Sequence, residues 1–313
     1  MDANAPIAVI GTGVIGAGWA ALFLARGRDV MAFDPALAAE QALRSAVEEA
    51  WPTLTRLGLA DGASTDRLMF TSSAAEAVAD AVFVQESGPE RVELKQRLFA
   101  ELDEAAPAST PIASSSSGLM PSQLQAMCAR HPERVLVGHP FNPAYLIPLV
   151  EVVPGQATDP RVVEVATELY TAMGKRPVMV RHEVPGHVAN RLQAALWREA
   201  YSLVERGVAT VADIDTAISY GPGLRWALLG PLVNQHLSGG DGGLAHVLEH
   251  LGPPTQAWMD DLGEPQLTPR LTDLLVRGVD DELSGIDQRQ LVADRDALLV
   301  ELLERKALRT ALP

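Results

Sequence analysis

His139-Pro-Phe-Asn142-Pro and, shortly after it, Leu149-Val-Glu151 put a base and an acid into one otherwise apolar stretch. A carboxylate inside an apolar run needs a partner, because burying a lone charge is costly. His139 is the natural candidate. An imidazole poised near neutral pH suits the removal of a hydroxyl proton. A carboxylate on its second nitrogen would fix the tautomer and stabilise the imidazolium. The chemistry such a pair offers is oxidation of an alcohol, the proton passing to His139 as hydride leaves the carbon. Pro143 and Pro148 stiffen the segment between them. Spacing alone does not bring the two side chains together, and a packed histidine beside an edge glutamate reads equally well.

A departing hydride needs an acceptor, and the start of the chain offers a place for one. Gly11-Thr-Gly13-Val-Ile-Gly16 follows a short apolar strand and opens a helix, the context in which this spacing binds a dinucleotide. Gly11 permits the tight turn, Gly13 lets backbone approach a pyrophosphate, and Gly16 packs helix on strand. The helix N-terminus, with Val14 and Ile15, offers free N–H groups and a positive dipole end to phosphates. Asp34 ends the second strand, 18 residues beyond Gly16. Its carboxylate suits ribose hydroxyls and repels the extra phosphate of NADP. No arginine immediately follows it, so the expected cofactor is NAD. A glycine-rich turn with no ligand is the alternative. Glu90 and Lys95 follow the fourth strand, where the nucleotide crevice would lie. From the residues alone they read better as charges on a solvated helix face.

The elements that must position these groups follow from periodicity. Ile7–Ile10, Val30–Phe33, Leu68–Phe70, Ala81–Gln85, Ile112–Ser115, Val135–Gly138, Leu149–Val153 and Pro177–Val180 read as strands. Helical stretches, such as Val14–Arg26 and Leu37–Leu57, separate most of them. This alternation predicts a parallel sheet covered on both faces. The pattern changes at Val184-Pro185-Gly186, a strong breaker. Beyond it no strand is expected. Val188, Leu192, Ala195, Leu196 and Leu203 fall at helical spacing, Thr210 reads as the N-cap of a helix over Val211–Tyr220, and Gln290–Leu308 reads as an amphipathic terminal helix. The expected class is α/β: a Rossmann-type doubly wound sheet over residues 1–184, then an all-α domain over 185–313.

Composition narrows the function classes. The net charge of -15 argues against nucleic acid. A single cysteine, Cys128, excludes an intrachain disulfide and a cysteine-based zinc cluster. The N-terminus has no basic region and an apolar run of only about five residues, too short for a signal peptide or a membrane span. A cytoplasmic enzyme with no membrane association is the expectation. His246 and His250 could share a helix face, but no third ligand accompanies them, so no metal is expected. His182 and His187 flank the hinge and read as solvated.

Together, GTGVIG, ESGPERVELKQRLF, ASSSSGLMPS, GHPFNPAYLIPLVEVV and VPGHVANRLQ resemble the L-3-hydroxyacyl-CoA dehydrogenase superfamily over almost the whole chain. The resemblance implies that His139 and Glu151 form the catalytic pair and that Ser117 and Asn190 hold the reacting oxygens. It also implies that Asn142, Glu90 and Lys95 lie near the cofactor, and that the protein is a homodimer formed through the helical domain. SSSSGLMPS and Gly221-Pro-Gly-Leu-Arg225-Trp226-Ala-Leu-Leu-Gly230-Pro231 are similar to the branch acting on free hydroxy acids. That branch includes the L-carnitine dehydrogenases and the L-gulonate 3-dehydrogenases with lens lambda-crystallin. Arg225 would then bind a substrate carboxylate, for which a guanidinium fork is suited; a structural salt bridge is the alternative. A quaternary ammonium would need aromatic faces, and Trp197, Tyr220, Trp226 and Trp258 are available. The segment Gly230–His236 looks closer to the gulonate side. The same chemistry on a coenzyme A thioester, and a crystallin-like protein that binds NAD(H) without turnover, are the rival expectations.

Overall fold

The computed structural model describes residues 5–312. The chain divides between Arg191 and Leu192 into two compact units. The first is built on one eight-stranded sheet: β1 (Ile7–Ile10), β2 (Val30–Phe33), β3 (Leu68–Phe70), β4 (Phe83–Glu86), β5 (Ile112–Ser114), β6 (Val135–Pro140), β7 (Leu149–Pro154) and β8 (Arg176–Met179). Their order is β3-β2-β1-β4-β5-β6-β7-β8. The chain therefore reverses its direction of travel across the sheet between β1 and β4, and in such sheets ligands bind at the carboxyl ends of the strands at that reversal.

The strands bury both faces, and period two decides what each side chain meets. Ile7 and Val9 of β1 pack with α1 (Val14–Ala25), α2 (Ala39–Leu57) and α6 (Pro160–Ala172). Ala8 and Ile10 pack with α3 (Ala74–Val78), α4 (Val92–Ala105) and α5 (Pro121–Gln125). Near-continuous runs of Val, Ile and Ala are what a strand covered on both sides requires.

One pairing departs from the parallel sheet expected from the sequence. β6 and β7 are antiparallel, and β8 is then parallel to β7. Only residues 141–148 join β6 to β7. A parallel crossover needs about a dozen residues or more, so the chain turns straight back. The loop is braced from below. Lys175, 4% exposed, donates to the carbonyls of Ala144 and Ile147. Its ammonium also lies 4.9 Å from the centroid of the Trp19 ring.

From Leu192 onward the described residues form no strand. Helix α7 (Ala189–Glu205) runs through the boundary and is followed by α8 (Val211–Ser219), α9 (Pro222–Leu229), α10 (Pro231–Ser238), α11 (Gly243–Asp261), α12 (Pro269–Glu282) and α13 (Gln288–Ala307). Thr210 caps α8 by accepting from the Asp213 amide. This unit lacks a dry core of its own. Among its described residues the buried apolar side chains are Val204, Val247, Leu271 and Val300, whereas Leu192, Leu232, Leu237 and Trp258 are each at least 60% exposed. The helix expected near the C-terminus forms, but it is not the amphipathic one expected: its apolar residues are not confined to one face, and α13 buries only Val300.

Candidate active site

The glycine turn has the shape its spacing implies. Gly11 sits at φ +86°, and a Cβ there would lie 2.7 Å from the Ser87 carbonyl carbon and the Gly88 nitrogen. A Cβ on Gly16 would collide with the Gly11 carbonyl oxygen. Beside Gly13 there is open space, and Val14 is exposed. Asp34 binds the turn to β2: one carboxylate oxygen accepts from the Thr12 amide at 2.8 Å, the other from the Ala36 amide at 2.9 Å. An open backbone edge leading into a twelve-residue helix fits a dinucleotide pyrophosphate. When bound, NAD supplies the hydride acceptor.

Opposite, on β6 and β7, the antiparallel register sets His139 directly across from Glu151. Cross-strand neighbours lie within side-chain reach, and His139 Nδ1 is 2.9 Å from Glu151 Oε2. Both side chains are buried. The other carboxylate oxygen accepts from the amides of Val188 and Ala189, at 2.8 and 2.9 Å. Those amides are the first, otherwise unsatisfied, donors of α7. Burial works to raise the Glu151 pKa. The hydrogen bond from His139, the two amides and the His139 charge outweigh it and hold the carboxyl below its usual range. With Nδ1 tied to a carboxylate, Nε2 is the ring nitrogen of His139 left to exchange a proton.

His187, expected to be solvated, is fully buried. Its ring centroid lies 5.4 Å from that of His139. It sits at φ +52°, and its Nε2 lies 3.1 Å from the Ser116 carbonyl. A carbonyl only accepts, so Nε2 carries the proton and Nδ1 is bare, with no partner among the described residues. Burial is the main cause that lowers its pKa. A Pro-Gly breaker resembles a surface hinge in sequence; the packing of the following residue under β6 and β7 has no local signal.

Ser116 and Ser117 form the turn after β5. Glu90 organises it, accepting from Ser116 Oγ at 2.5 Å and from the Ser117 and Gly118 amides at 3.1 and 2.9 Å. Burial favours a higher Glu90 pKa, but these bonds and the Lys95 charge lower it. Asn190 Nδ2 donates to the Ser117 backbone carbonyl at 3.2 Å; the exposed Ser117 hydroxyl is a separate group and has no partner among the described residues. Lys95 is not on a solvated face, as its residue type suggested. It is 1% exposed and donates to both oxygens of buried Glu86 at 2.7 and 2.8 Å, with Glu90 at 3.9 Å. Glu86 escaped the sequence reading, although a Gln85-Glu86 pair closing a buried strand was a visible anomaly. Asn142 is exposed in the loop after β6.

Arg225 and Trp226 lie on α9. The Arg225 side chain makes no ion pair among the described residues, so the salt-bridge alternative has no partner there. Trp197, Tyr220, Trp226 and Trp258 are all exposed, and no ring contact among the described residues joins any two of them. The His246 and His250 rings lie 4.1 Å apart, tilted at 41°, and the described residues hold no group of three or more metal-ligating side chains. None of the described helices is long and apolar enough to cross a membrane.

Comparison with known proteins matches two family descriptions. Residues 6–184 match the NAD binding domain of 3-hydroxyacyl-CoA dehydrogenase, and residues 186–274 match its C-terminal domain. An L-carnitine dehydrogenase of Streptomyces coelicolor is 53% identical over 297 residues, covering 95% of this chain and 93% of that protein. An L-carnitine dehydrogenase of a Pseudomonas species is 50% identical over 95% of this chain and 92% of its own length. Among solved structures, a 5-formyl-3-hydroxy-2-methylpyridine 4-carboxylic acid 5-dehydrogenase, described as an NAD+-dependent dismutase, superposes with a TM-score of 0.85 at 31% identity. That match covers 99% of this chain and 100% of the other.

Proposed function

The chain belongs to the 3-hydroxyacyl-CoA dehydrogenase family, and on that premise we propose that it oxidises the 3-hydroxyl of a small free L-3-hydroxy acid, L-carnitine foremost, to the 3-keto acid. That it is an NAD-dependent oxidoreductase acting on a CH–OH group follows from the family and its relatives. The observation that carries the chemistry is the buried His139–Glu151 pair. His139 Nε2 takes the hydroxyl proton as hydride leaves the same carbon. Glu151 holds the ring in the tautomer with Nδ1–H and stabilises the imidazolium once it forms. The free hydroxyl of Ser117 and the amide of Asn190 orient the substrate oxygen. In the reverse direction His139 returns the proton to the ketone.

The choice of a free acid rests on the relatives named L-carnitine dehydrogenase and on Arg225, whose guanidinium pairs with no carboxylate among the described residues. A guanidinium suits a carboxylate through paired N–H donors. The test is steady-state kinetics. His139→Ala should lower kcat about 10²- to 10⁴-fold. Arg225→Ala should raise KM for L-carnitine about tenfold or more, in line with losing a charge-assisted pair, while leaving NAD binding unchanged. Near-normal turnover in the first variant, or unchanged KM in the second, would overturn the respective assignment. We also propose that two copies associate through the helical unit, because Leu192, Leu232, Leu237 and Trp258 are largely exposed there while few of its apolar side chains are buried.

A further inference from the structure

A buried hydrogen-bond chain leads from the sheet to the glycine turn, and the inventory of donors fixes its direction. Tyr170, wholly buried, donates to Gln85 Oε1 at 2.6 Å. The Gly138 carbonyl can only accept, and Gln85 Nε2 faces it at 3.3 Å. The amide is therefore oriented from both ends. The same Nε2 donates to Ser115 Oγ at 2.8 Å, and the Trp19 indole N–H, a donor only, reaches that oxygen at 3.2 Å. A serine hydroxyl has two lone pairs and one proton. Both lone pairs of Ser115 are used, so its proton goes to Ser87 Oγ, 2.8 Å away. Ser87 accepts there, and its own proton must point elsewhere. Among the described residues no acceptor takes it.

Ser87 is the first residue past β4. Its amide donates to the Ile10 carbonyl at 2.7 Å. Its backbone is what a side chain on Gly11 would strike, and its Cβ is 3.4 Å from where a Gly16 Cβ would be. The free hydroxyl proton thus sits against the glycine turn, where the cofactor's phosphates would lie. Phosphate oxygens accept and do not donate.

We propose that Ser87 is a cofactor-binding residue whose hydroxyl, polarised by the Tyr170–Gln85–Ser115 chain, donates a hydrogen bond to an oxygen of the NAD ribose–phosphate backbone. The inference rests on NAD lying along the Gly11–Gly16 turn. It adds to the backbone donors of that turn a side-chain donor whose direction is set in the core. Gly138 belongs to the same device, since a Cβ there would collide with the Tyr170 hydroxyl.

Calorimetric titration of the full-length protein with NADH and with ADP-ribose, without substrate, tests this. Ser87→Ala should raise both Kd values about five- to tenfold, the worth of one hydrogen bond. Ser87→Asp replaces a donor with an acceptor-only carboxylate and should weaken both ligands at least as much. That variant still accepts the Ser115 proton, so it carries the test should the alanine variant fail to fold. Unchanged Kd values in Ser87→Ala, or ADP-ribose held by Ser87→Asp as tightly as by the wild type, would overturn the proposal. Failure of the wild type to bind NADH would overturn the placement of NAD on the turn, and the Ser87 inference with it.

Discussion

Glu151 carries three hydrogen bonds on two oxygens, and what it does depends on its charge. Its carboxyl titrates below the ordinary value in the folded protein. The stabilisation this gives is complete above the ordinary carboxylate pKa and is lost as pH falls through the lower, folded one. Glu151→Gln should therefore be less stable than the wild type near pH 7, with the gap narrowing as the pH is lowered below about 4; urea unfolding at both pH values measures it. The same variant should lose catalysis about 10²-fold or more at pH 7, since an amide cannot stabilise the imidazolium. His187 acts in the same direction, in a higher pH window. Buried and with a lowered pKa, it costs stability once it must take up a proton, so its effect begins as pH falls below about 6.5. His187→Phe should flatten the loss of stability between about pH 6.5 and 5, and an unaltered slope would contradict the placement of this ring. Of these residues, His139 and Glu151 were legible because a charge in an apolar run asks for a partner. His187 was not, because nothing in Pro-Gly-His-Val says which way the ring turns.

At the scale of elements, the dyad exists because β6 and β7 are antiparallel. Had the sheet been parallel throughout, as alternation of strands and helices suggested, residues 139 and 151 would not be cross-strand partners. The departure was readable in one number: residues 141–148 are too few for a crossover. The start of α7 is the second constraint, because its first amides complete Glu151. Gly186, just before it, sits at φ +76°. Gly186→Ala should cost about 1–2 kcal/mol of stability through the left-handed backbone and should shift the pH profile of kcat/KM by disturbing the amides on Glu151. A stability loss with an unshifted profile would separate the helix start from the chemistry. Lys175 does for the 141–148 loop what these amides do for Glu151. It satisfies two carbonyls of a segment that has no ladder of its own; its role was invisible in sequence, since a lysine before a strand reads as surface.

For the whole molecule, the two halves differ in how they are stabilised. The sheet unit buries two continuous apolar layers. In the helical unit the helices over 188–203, 211–220 and 290–308 were readable in the sequence, yet many of the unit's apolar side chains remain exposed. Periodicity reveals that a helix exists and not what covers its apolar side chains. If a second copy does so, light scattering should give a mass of twice the 33.4 kDa chain. Replacing Leu232 and Leu237 with serine should then shift the mass toward the monomer, and a monodisperse monomer in the wild type would contradict the dimer.

On the proposed reading NAD takes the hydride of a free 3-hydroxy acid while His139, held by Glu151, takes its hydroxyl proton. This is tested most directly by kcat/KM for NAD reduction on L-carnitine, measured beside L-gulonate, L-3-hydroxybutyrate and L-3-hydroxybutyryl-CoA. The highest value should fall on L-carnitine and should drop about 10²- to 10⁴-fold in His139→Ala. Turnover confined to the thioester would contradict that reading and leave Arg225 without a substrate role.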